Sequence, residues 1–524
     1  MREAVVTARL LTLLPSKPDA SGAGVEFAKP LRSPHSNPTM QERNPMQDFS
    51  NDAFGFCPGG STAPAEPAAP DPAADGMAPA LDWSAYANYG QGDAYAGIPA
   101  RGGHYARAVA VCIGNRQCQR AERKGVMCPS FRLTGEAQHS TRGRVEALKA
   151  VLNADGTEID FDSPELAAAM ALCVGCKGCK RECPNGVDMA LLRTEYLAQR
   201  ASKHGLAPRE RVFAHSTRWL ERWPWLGALI RLRNRLPLAA RLGERWLGLA
   251  AARRLPEPAP QPFTAPPVPA AEAERPRVAL LVDSFTRHFE PGNATAAIDV
   301  LTAAGYVVEV IAPAADDATP QRALCCGRSL LSNGLIDEAR AEAQRLVAAL
   351  APAIAAGTPV VGLEPSCLYM LKDEYYSLGL GAEVDKLAKQ AFLFEEFVTR
   401  EHAAGRFKLA FGPLAGEKVL VHGHCHQKAY GGMKPLKKAL ALIPQLDLEI
   451  IEAGCCGMAG SFGHEAEHHA LSLQMAEAEL LPALRAAPEA TVVADGFSCR
   501  QQIHDGAGRL AVHAAVLMRR AMKS

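Results

Sequence analysis

Four cysteines lie within one short segment, "CVGCKGCKRECP", which runs from Cys173 to Pro184. The spacing C-x2-C-x2-C-x3-C-P is typical of four-iron clusters held by thiolates, in which the fourth cysteine binds a different cluster from the first three. We therefore expect Cys173, Cys176 and Cys179 to share one 4Fe-4S cluster and Cys183 to bind another. Structural zinc is the alternative, but zinc sites usually join two cysteine pairs across a longer loop.

A second cysteine run, "CIGNRQCQRAERKGVMCP", supplies the remaining ligands. Cys128 precedes a proline as Cys183 does, so the crossed pattern predicts that Cys128 completes the first cluster. Cys112, Cys118 and Cys183 form the second set, in which Asn115 stands where another cysteine is expected. Three thiolates can hold a three-iron cluster or a four-iron cluster with a non-cysteine ligand, and an empty site is the third alternative.

Seven further cysteines occupy matching places in two repeated segments. Each segment has a Cys-Cys-Gly triplet, at 325–327 and 455–457, and a later cysteine after an apolar strand pattern. The first segment lacks one cysteine, because the position that matches Cys425 falls near Ser284 and Phe285. Disulfides between adjacent cysteines are strained, so we expect a cluster or metal ion in the second segment. The two sets are Cys325, Cys326 and Cys367, which is incomplete, and Cys425, Cys455, Cys456 and Cys499.

The repeated segments alternate apolar strand patterns such as "RVALLVDSF" with helix patterns such as "NATAAIDVLTAAG". This order predicts two α/β units with parallel sheets, related by a pseudo-two-fold axis. The predicted fold class is α+β multidomain, with a helical two-cluster ferredoxin-like domain followed by the two pseudo-symmetric α/β units. The predicted boundaries are 1–80 (mostly disordered, with Cys57 as an unliganded thiol), 81–208 (ferredoxin-like), 209–275 (basic Trp-rich helical segment and Pro-rich linker), 276–412 (unit 1) and 413–524 (unit 2).

Composition limits the other classes of function. Of the 524 residues, 48 % are apolar and 22 % charged, which is typical of a soluble protein. The net charge of +1 gives no global field that would attract nucleic acid. Arg9 interrupts the apolar run near the N-terminus, so this run does not resemble a secretory signal. The sequence also has no apolar stretch long enough to span a membrane. We therefore expect a cytoplasmic protein, whose thiols bind metal more often than they form disulfides.

Several residues near the cysteines have two interpretations. His422, His424 and His426 alternate in "HGHCHQ", so they would share one face of an extended strand, either as ligands or proton donors or as structural histidines. In "HSTRGR", Ser140 and Thr141 are predicted helix caps. The arginines of the same segment, Arg142 and Arg144, either offset the charge of a cluster or are solvated.

The basic stretch 209–254 contains four of the five tryptophans. Trp219, Trp223, Leu226 and Ile230 are predicted to share one helical face with arginines around it. Such a helix either lies in a membrane interface or packs on the core with a basic outer face. A docking surface for a protein partner is a further use, because Trp and Arg dominate binding hot spots.

From about Asp82 to its end, the chain resembles the iron–sulfur half of FAD-linked D-2-hydroxyacid dehydrogenases. This group includes the glycolate oxidase iron–sulfur subunit and fused FAD and Fe–S proteins that act on D-lactate or D-2-hydroxyglutarate. The motifs that resemble it include "VMCPSFRLTGEAQHSTRGR", "LCVGCKGCKRECPNGVDM", "HGHCHQKAYGG", "CCGMAGSFGHE" and "VADGFSCR". The repeats resemble the tandem cysteine-rich CCG domains of that group, and Asn115 resembles the variant found in its fused members.

The resemblance implies a role in electron transfer. A partner subunit would bind FAD, because this sequence has no Gly-rich dinucleotide motif and residues 1–80 are too short and polar for a flavin domain. Electrons would pass from the flavin to the clusters and then to a quinone or another acceptor, and this chain alone would not oxidise a hydroxy acid. Contact with the inner face of the cytoplasmic membrane would be peripheral. The alternative is a heterodisulfide-reductase-like protein with a catalytic cluster in the CCG region.

Overall fold

The computed structural model describes residues 77–120, 125–156, 158–267 and 275–523. The N-terminal region for which the sequence predicts disorder, and Cys57 with it, lies outside these residues except for 77–80. Residues 268–274 of the predicted linker also lie outside them.

The first described part is helical and contains both ferredoxin-type cysteine runs. Tyr105, Leu148 and Leu166 are fully buried between its helices. Ser140 caps one helix, since its hydroxyl accepts a hydrogen bond from the Gly143 N–H at 3.1 Å, as predicted. The helices are α1 (Gly103–Ala110), α2 (Pro129–Thr134), α3 (Thr141–Asn153), α4 (Pro164–Ala171), α5 (Gly178–Glu182) and α6 (Met189–His204).

The buried carboxylate of Glu195 on α6 fixes the first described residues to this helical part. It accepts hydrogen bonds from the backbone N–H groups of Ala80 and Leu81, at 2.9 and 3.0 Å, and from the indole N–H of Trp83 at 3.0 Å. A buried carboxylate is stable only when its oxygens are paired, and these donors meet that requirement.

The basic stretch forms three helices, α7 (Pro208–Arg222), α8 (Leu226–Arg235) and α9 (Pro237–Leu247). The prediction of one helical face from Trp219 to Ile230 is wrong, because the helix ends at Arg222 and restarts at Leu226. Pro224 lies in this break, where its ring and missing N–H prevent a continuous helix.

The two repeated segments form two four-stranded parallel sheets, and this confirms the predicted pair of α/β units. The strand orders are equivalent, β2-β1-β3-β4 and β6-β5-β7-β8. The first sheet contains β1 (Arg277–Leu281), β2 (Val307–Val310), β3 (Val360–Gly362) and β4 (Ala391–Leu393). The second contains β5 (Lys418–Val421), β6 (Asp447–Ile450), β7 (Thr491–Val493) and β8 (Ala511–Val512).

The helices of the two units lie between and beside these strands. In unit 1 they are α10 (Ser284–His288), α11 (Pro291–Ala303), α12 (Arg328–Leu331), α13 (Ile336–Ala355), α14 (Pro365–Lys372), α15 (Glu374–Ser377), α16 (Glu383–Gln390) and α17 (Phe394–Ala403). In unit 2 they are α18 (Cys425–Tyr430), α19 (Met433–Leu440), α20 (His469–Glu477), α21 (Leu480–Ala486), α22 (Phe497–Ala507) and α23 (Ala514–Arg520). The triplet at 325–327 therefore precedes the short helix α12, and the long helix α13 begins only at Ile336.

Apolar side chains of both units form one shared core. Val278 and Leu280 of β1 and Val419 and Val421 of β5 belong to it and are fully buried. The helical part and unit 1 share another core, which includes Leu148 and residues of α13 and α14. The cysteine-bearing loops of all three parts are consequently held together by packing. Among the described helices, none is long and apolar enough to cross a membrane.

Candidate iron–sulfur sites

The four cysteines predicted to share the first cluster line one small cavity. Cys128 caps the start of α2 and Cys179 lies in the first turn of α5, while Cys173 and Cys176 lie in the loop before α5. Two segments that are about fifty residues apart in the sequence thus contribute thiols to one space. Four thiols around one cavity are the donor set that a 4Fe-4S cluster requires.

Two buried cations, Arg144 and Lys177, line the same cavity. The Arg144 guanidinium donates from Nε to the Ala169 carbonyl at 2.8 Å and from Nη2 to the Ser130 hydroxyl at 2.9 Å. Arg144 is thus fixed beside the thiols and is not solvated. Arg142 instead forms a surface ion pair with Glu146 at 2.6 Å, so the two arginines have different roles.

Lys177 connects the first cysteine set to unit 1. Its ammonium lies 2.8 Å from Asp188, 2.9 Å from Asp373 and 3.3 Å from Glu374, and its side chain is 1 % exposed. Although burial lowers the pKa of Lys177, the three carboxylates raise it well above its usual value, so Lys177 is charged. Glu374 also forms a bidentate pair with Arg328, which follows the first Cys-Cys-Gly triplet.

The second ferredoxin-type set lies next to the first. The pKa of Cys118 is lowered to about 6, chiefly because its sulfur accepts a hydrogen bond from the Cys128 thiol. Both sulfurs lie at the N-terminus of α3, where Arg142 N donates to Cys118 at 3.3 Å and Thr141 N donates to Cys128 at 3.1 Å. The backbone N–H of Arg142 at this helix N-terminus helps to lower the pKa of Cys118, whereas donation to Cys118 and burial raise the pKa of Cys128 well above its usual value.

Asn115 lies beside the second set, where the sequence lacks a cysteine. Its side-chain Nδ2 is 3.8 Å from the sulfur of Cys183 and donates to Asn185 Oδ1 at 2.9 Å. The Cys112 thiol interacts electrostatically with Cys118 and Cys183, and burial is the main cause of its raised pKa. The three thiols and the amide are consequently neighbours.

The four cysteines of unit 2 form a continuous row of buried or half-buried thiols. Cys425 begins α18, Cys455 and Cys456 follow β6, and Cys499 lies in the first turn of α22. Each sulfur is hydrogen-bonded to the next one in this order. In Cys455 and Cys456 the bond accepted from the preceding thiol lowers the pKa, but donation to the next thiol and burial outweigh it, so the pKa values of the first three thiols are all raised. Such thiols are poor nucleophiles as they stand but suitable ligands for a metal, which displaces their protons.

The glycine of each Cys-Cys-Gly triplet is required by the backbone. Gly327 and Gly457 both have φ of +88°, in the left-handed region that favours glycine. A Cβ at Gly457 would lie 2.3 Å from the Ser472 carbonyl oxygen. In this turn the Gly457 N–H donates to the Cys455 sulfur at 3.4 Å, and the Gly327 N–H donates equally to Cys325. The triplet therefore orients its sulfurs through a turn that only glycine permits.

In unit 1 a serine takes the place of the missing cysteine. Ser284 begins α10 as Cys425 begins α18, and its hydroxyl hydrogen-bonds with the Cys325 thiol. The Cys326 thiol forms hydrogen bonds with the thiols of both Cys325 and Cys367. The set of three thiols predicted for unit 1 is thus assembled, with a hydroxyl as its fourth member.

The three histidines of "HGHCHQ" do not share a strand face, because β5 ends at Val421 and His424 already caps α18. His424 Nδ1 accepts a hydrogen bond from His426 N at 3.2 Å, and His426 Nε2 contacts the Gly175 carbonyl at 3.1 Å. His422 is completely buried, and one of its ring nitrogens lies within 4.8 Å of the sulfurs of Cys456 and Cys499. Burial lowers its pKa well below the usual value, so the imidazole is neutral.

A cavity of about 730 Å³ is lined by residues of the first cysteine set, of unit 2 and of α7 and α8. Cys173 and Cys425 both line it. Its other walls combine apolar residues such as Trp219 and Leu226 with polar ones such as His424. A cavity of this size and mixed lining can hold a small organic molecule.

Sequence reasoning missed the residues that join the three parts, Lys177, Asp373, Glu374 and Arg328, and the contact of His426 with Gly175. The lysines of "CKGCK" and the acidic residues of "LKDEY" were visible as charges. The pairing of these lysines with these acidic residues could not be predicted, because nearly two hundred residues separate them in the chain.

Comparisons with known proteins identify the two cysteine-rich regions. Residues 108–187 match the family model of a 4Fe-4S dicluster domain, and residues 419–504 match that of a cysteine-rich domain. All fourteen described cysteines are free thiols, and their clustering fits iron–sulfur clusters by the chemistry of the donors.

The chain is similar to several dehydrogenases and dehydrogenase components. It is 24 % identical to D-2-hydroxyglutarate dehydrogenase of Escherichia coli K12 over 76 % of this chain and 42 % of that protein. It is 28 % identical to one subunit of the anaerobic glycerol-3-phosphate dehydrogenase of the same organism, over 47 % of this chain and 59 % of that subunit. A probable glycolate oxidase iron-sulfur subunit of Bacillus subtilis 168 is 36 % identical over 16 % of this chain and 18 % of that protein.

These matches confirm the resemblance to the iron–sulfur part of flavin-linked hydroxyacid dehydrogenases. The chain spans about two fifths of the length of the D-2-hydroxyglutarate dehydrogenases that it matches.

Proposed function

We propose that this chain is the iron–sulfur electron-transfer component of an FAD-dependent dehydrogenase that oxidises a 2-hydroxy acid of the D-lactate, glycolate or D-2-hydroxyglutarate class. The observation that supports this most is the convergence of two thiol sets. His426, next to Cys425 of unit 2, contacts the Gly175 carbonyl in the loop between Cys173 and Cys176. Sites joined by one hydrogen bond are close enough for single electrons to pass between them.

In this proposal Cys128, Cys173, Cys176 and Cys179 hold a 4Fe-4S cluster, and Cys112, Cys118 and Cys183 hold a second with Asn115 beside it. Cys425, Cys455, Cys456 and Cys499 hold a further cluster or metal ion. Bound clusters accept and release one electron at a time. The task of the chain's own residues is to keep the clusters adjacent and to balance their charge, which Arg144 and Lys177 do from the cavity wall.

The hydride acceptor, FAD, would be on a partner subunit, so the chain would oxidise no hydroxy acid by itself. The described residues support a division of labour, since the chemistry that they bring together consists of thiols and the cations around them. Relatives named as subunits of larger dehydrogenases agree with a flavoprotein partner.

The cavity of about 730 Å³ is the proposed site at which electrons leave the chain for a quinone or another acceptor. Its lining includes Cys425 and His424 together with the apolar side chains of Trp219, Leu226 and Ile230. Leu229 lines the cavity and is also 50 % exposed, so the cavity reaches the surface at α8. A ligand with a polar ring and an apolar tail matches this polarity.

The outer faces of α8 and α9 are proposed to contact an anionic membrane surface. Eight of the twelve exposed large apolar side chains in the described residues lie in or just before these helices. Leucine predominates among them, whereas protein-binding hot spots are poor in leucine. Leucine and tryptophan beside arginines are typical of helices that lie in a membrane interface. The side chains are Trp223, Trp225, Leu229, Leu232, Leu236, Leu238, Leu242 and Trp246, with Arg222, Arg235, Arg241 and Arg245 exposed between them.

The decisive experiment is anaerobic purification of the chain alone and together with the flavoprotein encoded nearest to it. We expect the chain alone to contain iron and sulfide without flavin and to be inactive. With the partner, it should reduce an artificial acceptor when 2-hydroxy acids are screened as substrates. Glycerol 3-phosphate is tested beside them as a competing class of substrate. Stoichiometric FAD and dehydrogenase activity in the isolated chain would disprove the proposal.

The membrane contact is tested by sedimentation with phosphatidylcholine vesicles that contain or lack phosphatidylglycerol. The double variant Leu238→Ser/Trp246→Ser should bind the anionic vesicles more than about tenfold less tightly, because two apolar side chains no longer enter the interface. Leu510→Ser is the control, since Leu510 is 81 % exposed but lies elsewhere. Equal binding by all three proteins would exclude this surface.

A heterodisulfide-reductase-like activity is the second candidate, and the dehydrogenase relatives favour electron transfer over it. In that case the reduced protein would cleave a disulfide substrate without any flavoprotein. Assay of the reduced chain with small disulfides distinguishes the two functions.

A further inference from the structure

The imidazole of His422 is fully buried, and neither of its ring nitrogens has a hydrogen-bond partner among the described residues. A neutral imidazole has one donor and one acceptor, and leaving both unpaired in the interior is costly. The other two histidines of this segment differ, because His424 and His426 each have a partner for one ring nitrogen. Among the three histidines, His422 is therefore the one for which both ring nitrogens lack a hydrogen-bond partner in the described residues.

The nearest candidate partners are two thiols of unit 2. A ring nitrogen of His422 and the sulfurs of Cys456 and Cys499 all lie within 4.8 Å of one another, and all three residues are buried. A single metal ion binds sulfur at about 2.3 Å and imidazole nitrogen at about 2.1 Å, and these bonds nearly span such separations. One metal between the three groups would bind the acceptor nitrogen of the imidazole and displace the protons of both thiols.

The backbone fixes His422 in this place. Its N–H donates to the Val493 carbonyl at 2.9 Å, so it extends β5 by one residue alongside β7. In unit 1 the matching residue is Leu281, because Leu280 pairs with Val361 as Val421 pairs with Val493. Unit 1 thus has an apolar side chain at this point, and the imidazole is specific to the unit with four cysteines.

We propose that His422 is a nitrogen ligand of the metal centre in unit 2, together with Cys456 and Cys499 and next to Cys425 and Cys455. The proposal rests on the proposed function only in assuming that unit 2 holds a metal. A neutral imidazole adds one negative charge less than a thiolate, and replacement of thiolate by imidazole raises the reduction potential of iron–sulfur centres. The centre in unit 2 would then accept electrons more readily than one bound by cysteines alone.

The test is pulsed EPR on the anaerobically purified full chain, prepared with natural and with ¹⁵N-labelled histidine. We expect a nitrogen hyperfine coupling from the unit 2 centre that changes with the isotope and disappears in His422→Cys and His422→Leu. His422→Cys should retain its iron and shift the midpoint potential downward. His422→Leu copies unit 1 and so should fold, but it should lose metal from unit 2.

His513→Gln is the matched control, since His513 is equally buried in unit 2 but already contacts the Leu363 carbonyl at 3.1 Å. The coupling should persist in this variant. A coupling that survives in both His422 variants, or a paramagnetic centre without nitrogen coupling in the parent protein, would overturn the assignment. For a diamagnetic centre, X-ray absorption at the metal edge should show one nitrogen replaced by sulfur in His422→Cys, and identical spectra would overturn it.

The same samples separate this inference from the proposed function. If the parent and Cys456→Ser contain equal amounts of metal, unit 2 holds no metal. The proposed metal centre in unit 2 and its histidine ligand would then both be wrong. Metal that depends on Cys456 but not on His422 would contradict the histidine ligand alone.

Discussion

The imidazole Nε2 of His426 lies 3.1 Å from the carbonyl oxygen of Gly175, which is 251 residues earlier in the chain. Because a carbonyl oxygen can only accept, Nε2 carries the proton and donates it. Gly175 lies between Cys173 and Cys176, and His426 follows Cys425. One hydrogen bond thus joins the loop of the first cysteine set to the helix that begins with a cysteine of unit 2.

Removal of this donor should loosen the loop. In His426→Leu we expect hydrogen exchange across 173–179 to accelerate about fivefold, which corresponds to about 1 kcal/mol for one lost hydrogen bond. Mass spectrometry of the peptides that cover the loop measures it. His402→Leu, on an exposed turn of α17, should leave the same peptides unchanged, and equal rates in both variants would contradict the contact.

Lys177 should contribute strongly to stability. Lys177→Met leaves Asp188, Asp373 and Glu374 with less positive charge in a buried position, and we expect a loss of about 3 kcal/mol in the free energy of unfolding. Anaerobic denaturation with urea measures this change. In contrast, Lys386→Met breaks an exposed pair with Glu383 and should cost at most about 0.5 kcal/mol. Similar losses in the two variants would mean that the buried network contributes no more to the free energy of unfolding than an exposed ion pair does.

The glycine of the second triplet can be compared with a glycine that lacks neighbours. Gly416 also has a positive φ, +76°, but no atom of the part of the chain that the structure describes lies within 4 Å of a Cβ placed there. Gly416→Ala should therefore cost about 1 kcal/mol, the backbone term alone. Gly457→Ala adds a clash with the Ser472 carbonyl, so it should cost at least about 2 kcal/mol more and lower the iron content. Equal stability and iron in the two variants would refute this role of Gly457.

His464 should make stability depend on pH. Burial, with Arg253 nearby, lowers its pKa from 6.5 to about 3, so the folded protein keeps the imidazole neutral at pH values where the unfolded chain protonates it. This contribution is complete above pH 6.5 and declines as the pH falls towards about 3. Between pH 7.5 and 5 it amounts to about 2 kcal/mol.

Replacement of this histidine should remove that part of the pH dependence. We expect the loss of unfolding free energy between pH 7.5 and 5 to be about 2 kcal/mol smaller in His464→Phe, which also preserves the stacking on Phe213. His402→Phe at an exposed site should keep the parent slope. Parallel curves for parent and His464→Phe would show that the buried imidazole is not the cause.

Short-range patterns and repeats in the sequence were enough to predict several features of the molecule. Crossed ferredoxin spacing brought Cys128 together with Cys173 as expected, because the arrangement follows from short loops and helix starts around each cysteine. The repeat predicted two parallel sheets of equivalent order, since apolar strands and helices alternate along the chain at a regular distance. Ser140 was predicted as a cap from its own neighbours. The cap depends on residues that are close in sequence, and the other two features depend on patterns that recur along the chain.

Contacts between distant segments were decided by the tertiary structure alone. The alternation of "HGHCHQ" suggested a strand face, but β5 ends before His422 and a helix begins at Cys425, so the three imidazoles have different surroundings. Arg144 and Arg142 were equivalent in sequence, and only packing made one buried and left the other half-buried at the surface. Lys177 could not be matched with Asp373 from the sequence, because charge alone does not select a partner when many of opposite sign are available. Burial selects it, since an ammonium in the interior is stable only beside the carboxylates that the fold places there.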